Sequence, residues 1–238
     1  IHIPFCKQTC SYCDFHFSTS LKSKEAFVSS LLHEIELQNN YLGNDALIET
    51  VYFGGGTPSL LSADELDKIF KTLYDNFSIA KNAEITLEAN PDDLSKTKLQ
   101  ELKHSPVNRL SIGIQSFFEE DLKLMNRAHN SQQAENCIQE SQDAGFENIT
   151  IDLIYGTPGL SNAKWKKNLA KVFSYDIPHL SSYSLTVEEK TPLESHIKKG
   201  KVKAIDEEQS AEQFLILMEE TANNGYEQYE ISNFCKQG

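Results

Sequence analysis

Short apolar runs alternate along the chain with segments of helical periodicity. Six of these runs predict strands, at residues 1–3, 51–53, 85–87, 110–114, 149–154 and 180–185. Strands that alternate with helices in this way form parallel sheets joined by right-handed crossovers. The pattern therefore predicts an α/β fold built from six βα units, with no linker or repeat that would divide it.

Apolar residues recur at helical spacing between the predicted strands. The clearest helix follows Ser62, which forms a capping-box pattern with Glu65. Its apolar residues are Leu66, Ile69, Phe70, Leu73, Tyr74 and Phe77. A late helix carries a similar apolar row, made of Ala211, Phe214, Leu215, Met218 and Ala222. The stretch Tyr226–Ser232 predicts one more strand, and we expect residues 226–238 to begin a C-terminal region after a domain formed by residues 1–225.

Polar and apolar residues also alternate within the strands. The large aliphatic side chains are expected to face the helices, which leaves a small, polar face on the other side of the sheet. The residues assigned to this inner face include Glu88, Gln115, Asp152, Ile154 and Ser184. A closed eight-stranded barrel fills its interior with bulky side chains. Six strands with a polar inner face therefore predict a partial, TIM-like (βα)6 barrel that holds a sizeable polar ligand.

Composition and charge narrow the function classes. The 238 residues carry a formal net charge of −13, which argues against general nucleic-acid binding. No apolar run approaches the roughly 20 residues that a membrane-spanning helix needs. Three of the five cysteines fall within eight residues, so a reducing, cytoplasmic setting is expected rather than a disulfide framework. The chain begins at Ile1 inside a motif, and we expect it to be a piece of a longer protein.

The three clustered cysteines indicate a metal site. Cys6, Cys10 and Cys13 follow the first predicted strand, at the carboxyl end where such folds place their sites. Three thiolates on one short loop suit three corners of a metal cluster. A structural zinc ion would need a fourth ligand, and His2 or His16 would supply it in that alternative.

A glycine-rich turn follows the second predicted strand, in Gly54-Gly55-Gly56-Thr57-Pro58. Glycine allows close approach of a ligand to the backbone and permits positive φ. Such a run on its own is explained equally well by a tight turn between a strand and a helix. Its position one strand after the cysteine loop favours a ligand-binding role.

Together these motifs resemble the radical S-adenosylmethionine (SAM) superfamily. The spacing C-x3-C-x2-C, with Tyr12 before the last cysteine, is similar to the signature that binds a [4Fe–4S] cluster and leaves one iron open. Gly54–Thr57 resembles the motif that meets the methionyl amine. The resemblance implies that an external electron donor drives reductive cleavage of SAM to methionine and a 5′-deoxyadenosyl radical, chemistry supplied by the cofactors.

Further stretches resemble the coproporphyrinogen III oxidase-like branch of this superfamily. They are residues 1–6, 52–58, 88–92, 109–117, 126–129 and 151–158. The resemblance implies SAM contacts at matching positions: Glu88 with the ribose hydroxyls, Gln115 and Asp152 in the same pocket, Arg127 with the carboxylate, Ile154 with adenine and Ser184 at its border. Arg127 lies outside the predicted strands, where a solvated helix-face charge is the alternative. No catalytic residue is assigned.

Within this branch, the residue two positions after the third cysteine separates two groups. The oxygen-independent oxidase has a fourth cysteine there, whereas this chain has Phe15 and resembles HemW-type haem chaperones. The expected function is delivery of haem to haem-receiving proteins, with the haem ligand beyond this fragment. The alternatives are a coproporphyrinogen III dehydrogenase that makes vinyl groups from propionates, and a non-catalytic metal-binding module. Trp165 and Tyr183 are expected to pack in the core rather than to contact a porphyrin.

Overall fold

The computed structural model describes residues 1–43 and 45–236. Eight strands form one sheet in the order β1-β2-β3-β4-β5-β6-β8-β7. They are β1 (His2–Ile3), β2 (Leu47–Gly55), β3 (Ser78–Ala89), β4 (Arg109–Gln115), β5 (Asn148–Tyr155), β6 (His179–Ser184), β7 (Tyr226–Gln228) and β8 (Asn233–Lys236). Strands β1 to β6 pair in chain order and in parallel. The predicted α/β fold with six parallel strands is confirmed.

Eight α-helices accompany the sheet in the described chain. They are α1 (Lys24–Leu37), α2 (Ala63–Asn76), α3 (Lys96–His104), α4 (Glu119–Leu124), α5 (Ser131–Asp143), α6 (Asn162–Ser174), α7 (Pro192–Lys198) and α8 (Glu207–Asn223). The capping box at α2 is confirmed, because the Glu65 amide donates to Ser62 Oγ and the Ser62 amide donates to Glu65 Oε2. No helix in this part of the chain is long and apolar enough to span a bilayer.

The two faces of the sheet differ as the alternation predicts. Aliphatic residues of β3, β4 and β5 pack with the helices in one core, including Leu87, Leu110 and Ile149. The strand register places polar residues together on the opposite, inner face: Glu88 beside Ser111, Ser111 beside Thr150 and Asp152 beside Ser181. The polar inner face is therefore continuous across four strands.

The assignment of faces in β6 is wrong. Ser181 and Tyr183 stand in register with the inner-face residues Asp152 and Ile154, whereas Ser184 stands beside Tyr155 of the core. The predicted packing of Tyr183 is also wrong, since its side chain is 45% exposed. Leu180 explains this parity, because its complete burial in the core fixes the faces of its neighbours.

Helix α8 turns most of its predicted apolar row outward, although Phe214 packs against the core. Leu215 is 65% exposed and Met218 is 40% exposed, while Gln213 is fully buried. The Gln213 side chain accepts from the Gly156 amide (2.8 Å) and donates to the Leu160 carbonyl (2.6 Å). These bonds satisfy backbone groups of the turn after β5, and together with the complete burial of Leu217 they set the rotation of α8.

The C-terminal stretch forms two short strands instead of one. Strand β7 ends at Gln228, and β8 pairs antiparallel with both β7 and β6. The Ser182 amide donates to the Ser232 carbonyl (2.7 Å), which ties the intervening loop to β6. The proposed boundary at residue 225 stays a prediction, although the hairpin that follows it extends the same sheet.

Candidate functional site

The cysteine loop after β1 is held by a distant turn of the chain. The Ser11 amide donates to the Met125 carbonyl (2.9 Å), and Ser11 Oγ donates to the Leu124 carbonyl (2.8 Å). Asn126 adds two bonds, because its Nδ2 donates to the Thr9 carbonyl (2.7 Å) and its own carbonyl accepts from Gln8 (2.8 Å). Asn126 adopts a positive φ of 52°, a conformation that asparagine tolerates better than most residues. These hydrogen bonds tie the cysteine loop to the turn at residues 124–126.

The three loop cysteines are free, partly exposed thiols. Burial raises the pKa of the Cys6 thiol, and ionised Cys10 adds to this effect. Burial likewise raises the pKa of Cys13, with further contributions from Cys10 and Cys6. Ionisation of one thiol in the loop thus opposes ionisation of its neighbours.

The donor set fits a multi-iron cluster better than a single zinc ion. The loop supplies three thiols, whereas a structural zinc ion would need four ligands. Cluster cysteines bind different iron atoms and need not converge on one point. His2 is already engaged, because its Nε2 lies 3.3 Å from the His16 carbonyl and its Nδ1 faces Gly55.

The glycine turn at the end of β2 packs directly against the cysteine loop. A Cβ on Gly56 would lie 2.7 Å from the Phe5 carbonyl oxygen and 3.0 Å from Cys6 Sγ. Gly55 has a φ of 113°, and a Cβ there would meet the His2 ring at 2.6 Å. Only glycine suits these positions. The buried Thr57 hydroxyl accepts from Asn90 Nδ2 (3.1 Å) and lowers the pKa of Cys6 against the larger effect of burial.

Arg127 connects the cysteine loop to the inner face. Its Nη1 donates to Cys10 Sγ (3.2 Å), and its Nη2 donates to Asn90 Oδ1 (2.6 Å) and to the Gly113 carbonyl (2.8 Å). The missing side chain of Gly113 leaves room for Gln115 Nε2 and Arg127 Nη2, which lie 3.0 and 3.1 Å from where its Cβ would be. The alternative of a solvated surface charge at Arg127 is wrong. Its buried Nε has no hydrogen-bond partner among the described residues, so the guanidinium retains donor capacity for a ligand.

The Glu88 carboxylate faces the same space from β3. Its Oε2 accepts from the Gly55 amide (3.1 Å), and its Oε1 accepts from the Tyr52 hydroxyl (2.8 Å). Burial raises the pKa of Glu88, while the hydrogen bonds from Tyr52 and Gly55 lower it. An ionised carboxylate offers about four acceptor positions, so hydrogen-bonding capacity remains for a ligand.

Asp152 of β5 forms the centre of the inner face. Burial, together with the charge of Glu88, raises its pKa to about 7, against lowering by Arg127, Ser181 and Arg109. Two carboxyl groups that share one polar face disfavour ionisation of both. A ligand with hydroxyl donors would relieve this repulsion.

We expect Asp152→Asn to flatten the pH dependence of stability of the metal-free chain. The folded-state pKa of about 7 exceeds the ordinary value of 3.8, so between these values the folded chain binds a proton that the unfolded chain lacks. The free energy of unfolding then falls as pH rises through this window. Urea unfolding at pH 5 and pH 7.5 measures the difference, with Asp67→Asn on the exposed side of α2 as control. An unchanged pH dependence in Asp152→Asn would contradict the expectation.

The remaining predicted contacts lie at the edge of this group. Ile154 is nearly buried in a second apolar cluster with Leu122, Met125 and Leu185, against which Tyr12 packs. Ser184 Oγ lies 2.7 Å from Ser210 Oγ, on the side of α8. The structure therefore brings the cysteines, the glycine turn, Glu88, Gln115, Arg127 and Asp152 together, and it places Ser184 beside α8 at the edge of this group.

Two site residues lacked an assigned role in the sequence. Asn90 bridges Arg127 and Thr57, and Tyr52 binds Glu88. Asn90 lies in the motif stretch 88–92 and Tyr52 in the stretch 52–58, and this was the sequence feature that could have identified them as site residues. Their roles depend on partners more than 30 residues away.

The sequence profile of the radical SAM superfamily matches residues 1–172. The chain belongs to this superfamily. Its members bind a [4Fe–4S] cluster and SAM, so the combination of a three-cysteine loop and a polar inner face has a family-wide explanation.

Two curated relatives match nearly the whole chain. The chain is 36% identical to heme chaperone HemW of Lactococcus lactis over 98% of its own length and 60% of that protein. It is 37% identical to heme chaperone HemW of Bacillus subtilis over 100% of its length and 63% of that protein. The chain thus spans about 60% of the length of these curated relatives.

A solved structure supports the fold independently. Coproporphyrinogen III oxidase (HemN) from Escherichia coli, described as a radical SAM enzyme, aligns with a TM-score of 0.86 over 99% of this chain and 54% of that chain. At 24% sequence identity, this similarity establishes the radical SAM fold and leaves function to other evidence.

Proposed function

We propose that Cys6, Cys10 and Cys13 bind a [4Fe–4S] cluster and that the adjoining inner face binds SAM. The contact between Arg127 and Cys10 carries this proposal. It places a positive charge between the cysteine loop and the polar face, where the carboxylate of SAM would lie beside the cluster. Guanidinium–carboxylate pairs are strong and directional, which suits this role.

The residues of the chain would bind and orient the ligand. Arg127 would donate to the carboxylate, and the backbone of Gly54–Gly56 would meet the methionyl amine. Glu88, Gln115 and Asp152 would bind the ribose, with Ile154 and Ser184 nearer the adenine. When bound, the cluster supplies the electron for reductive cleavage of SAM.

We further propose that the complete protein is a HemW-like haem chaperone. Two relatives of that name share 36% and 37% identity with nearly the whole chain. Phe15, 67% exposed beside the cysteine loop, stands where the oxidase pattern has a fourth cysteine. The proposal includes a cytoplasmic setting and a haem ligand in a C-terminal region that begins at residue 226.

A coproporphyrinogen III dehydrogenase is the second candidate, because residues 52–58, 88–92 and 109–117 resemble the whole branch to which that enzyme belongs. Such an enzyme must hold each propionate of its substrate in a near-attack orientation. A binding module without turnover is the third. The three candidates differ in whether haem binds and whether vinyl product forms.

One experiment separates these candidates. The protein extended to the length of its relatives is expected to bind haem in a spectroscopic titration, whereas the 238-residue chain binds it weakly. Anaerobic incubation of the extended protein with SAM, reductant and coproporphyrinogen III should give no vinyl product by chromatography. Steady vinyl formation would contradict the chaperone proposal, and equally tight haem binding by both lengths would contradict the C-terminal ligand.

A further inference from the structure

Tyr52 is a half-exposed aromatic residue on the inner face. It stands on β2 in register with Thr86 of β3, two residues before Glu88, and its side chain is 46% exposed. A tyrosine that served only the core would be buried on the helix side, where Val51 and Phe53 lie. The position of Tyr52 therefore requires another explanation than packing.

The hydroxyl of Tyr52 supplies that explanation. It donates to Glu88 Oε1 (2.8 Å), while the Gly55 amide donates to Oε2 (3.1 Å). Each oxygen of the carboxylate thus has one donor from β2, and each keeps a free acceptor position. The two fixed bonds limit rotation of the carboxylate and define the direction of the free positions.

Gly54 makes this contact sterically feasible. A Cβ at Gly54 would lie 2.9 Å from Tyr52 Cε1 and 3.1 Å from Glu88 Oε1. The space that a side chain would fill is shared by the ring and the carboxylate. The glycine motif therefore serves two separate purposes: Gly56 fits the cysteine loop, and Gly54 admits the Tyr52–Glu88 pair.

We propose that Tyr52 is a positioning residue that aligns the Glu88 carboxylate for a ligand carrying a vicinal diol. The inference rests on the proposed SAM site, in which the ribose supplies that diol. Two free acceptor positions, one on each oxygen, match two neighbouring hydroxyl donors. Tyr52 acts through Glu88, so its contribution depends on that carboxylate.

A double-mutant cycle tests this dependence. SAM affinity is measured by anaerobic calorimetric titration of the cluster-reconstituted chain for Tyr52→Phe, Glu88→Gln and the double variant. We expect about a fivefold higher Kd for Tyr52→Phe and about a tenfold higher Kd for Glu88→Gln. The double variant should match Glu88→Gln alone, since Tyr52 has no carboxylate left to align. Tyr74→Phe, on the surface of α2, is the matched control and should leave the Kd unchanged.

The outcomes distinguish failure of this inference from failure of the proposed SAM site. Unchanged affinity in Glu88→Gln would contradict the proposed ribose contact and the inference with it. Weakened binding in Glu88→Gln with normal binding in Tyr52→Phe would overturn the inference alone. If the increase in Kd of the double variant equals the product of the two single increases, the inference is also overturned, because Tyr52 would then act independently of Glu88. Iron content and thermal unfolding of each variant confirm that the cluster and fold are intact.

Discussion

Replacement of Cys6, Cys10 or Cys13 by Ala is expected to abolish the iron–sulfur cluster. The unaltered chain, reconstituted anaerobically with iron and sulfide, should hold about four irons and four sulfides and show broad absorbance near ~400 nm. Each cysteine would bind one iron, and the loop has no spare thiol to replace a lost ligand. Iron and sulfide analysis with absorbance spectroscopy measures the loss.

Cys235 provides the matched control for these variants. It is a partly exposed, free thiol on β8, outside the loop. Cys235→Ala should retain full iron and sulfide. Stoichiometric zinc without sulfide in the unaltered chain would overturn the cluster assignment, as would full cluster content in any of the three loop variants.

Arg127→Ala is expected to weaken SAM binding by about 10- to 100-fold. The change removes a charge-assisted hydrogen-bond donor, for which losses of this size are typical. Calorimetric titration of the reconstituted variant gives the affinity. The EPR signal of the reduced cluster, which SAM should alter in the unaltered chain, should respond only at much higher SAM concentration.

Arg109→Ala is the control for removal of an inner-face arginine. Arg109 begins β4 and donates to Thr150 Oγ1 (2.6 Å) and Glu84 Oε1 (3.2 Å), at the opposite ends of the strands from the cysteine loop. Its loss should affect stability and leave SAM affinity near normal. Arg127→Lys, which keeps the charge, should retain part of the affinity. Equal affinity in Arg127→Ala and the unaltered chain would refute the carboxylate contact.

The sequence by itself determined the strands, their parallel order and most of the inner face. These features depend on local periodicity: alternation marks a strand with two unlike faces, and helical spacing marks the segments between strands. The short spacing of Cys6, Cys10 and Cys13 was equally informative, because one tight loop must keep them near one another. Glu88 and Asp152 were placed on one face by strand parity alone.

Only the tertiary structure decided which polar groups form hydrogen bonds with residues distant in the sequence. The buried Gln213 and Leu217 turn most of the predicted apolar row of α8 outward, and Gln213 supplies hydrogen-bond partners to the turn after β5. Ser184 follows the burial of Leu180 and faces Ser210 instead of the inner face. Asn126 shapes the cysteine loop from more than 110 residues away. The periodicity of apolar residues predicts which side chains are buried. The pairing of hydrogen-bond donors with acceptors depends on contacts that form only when the chain has folded.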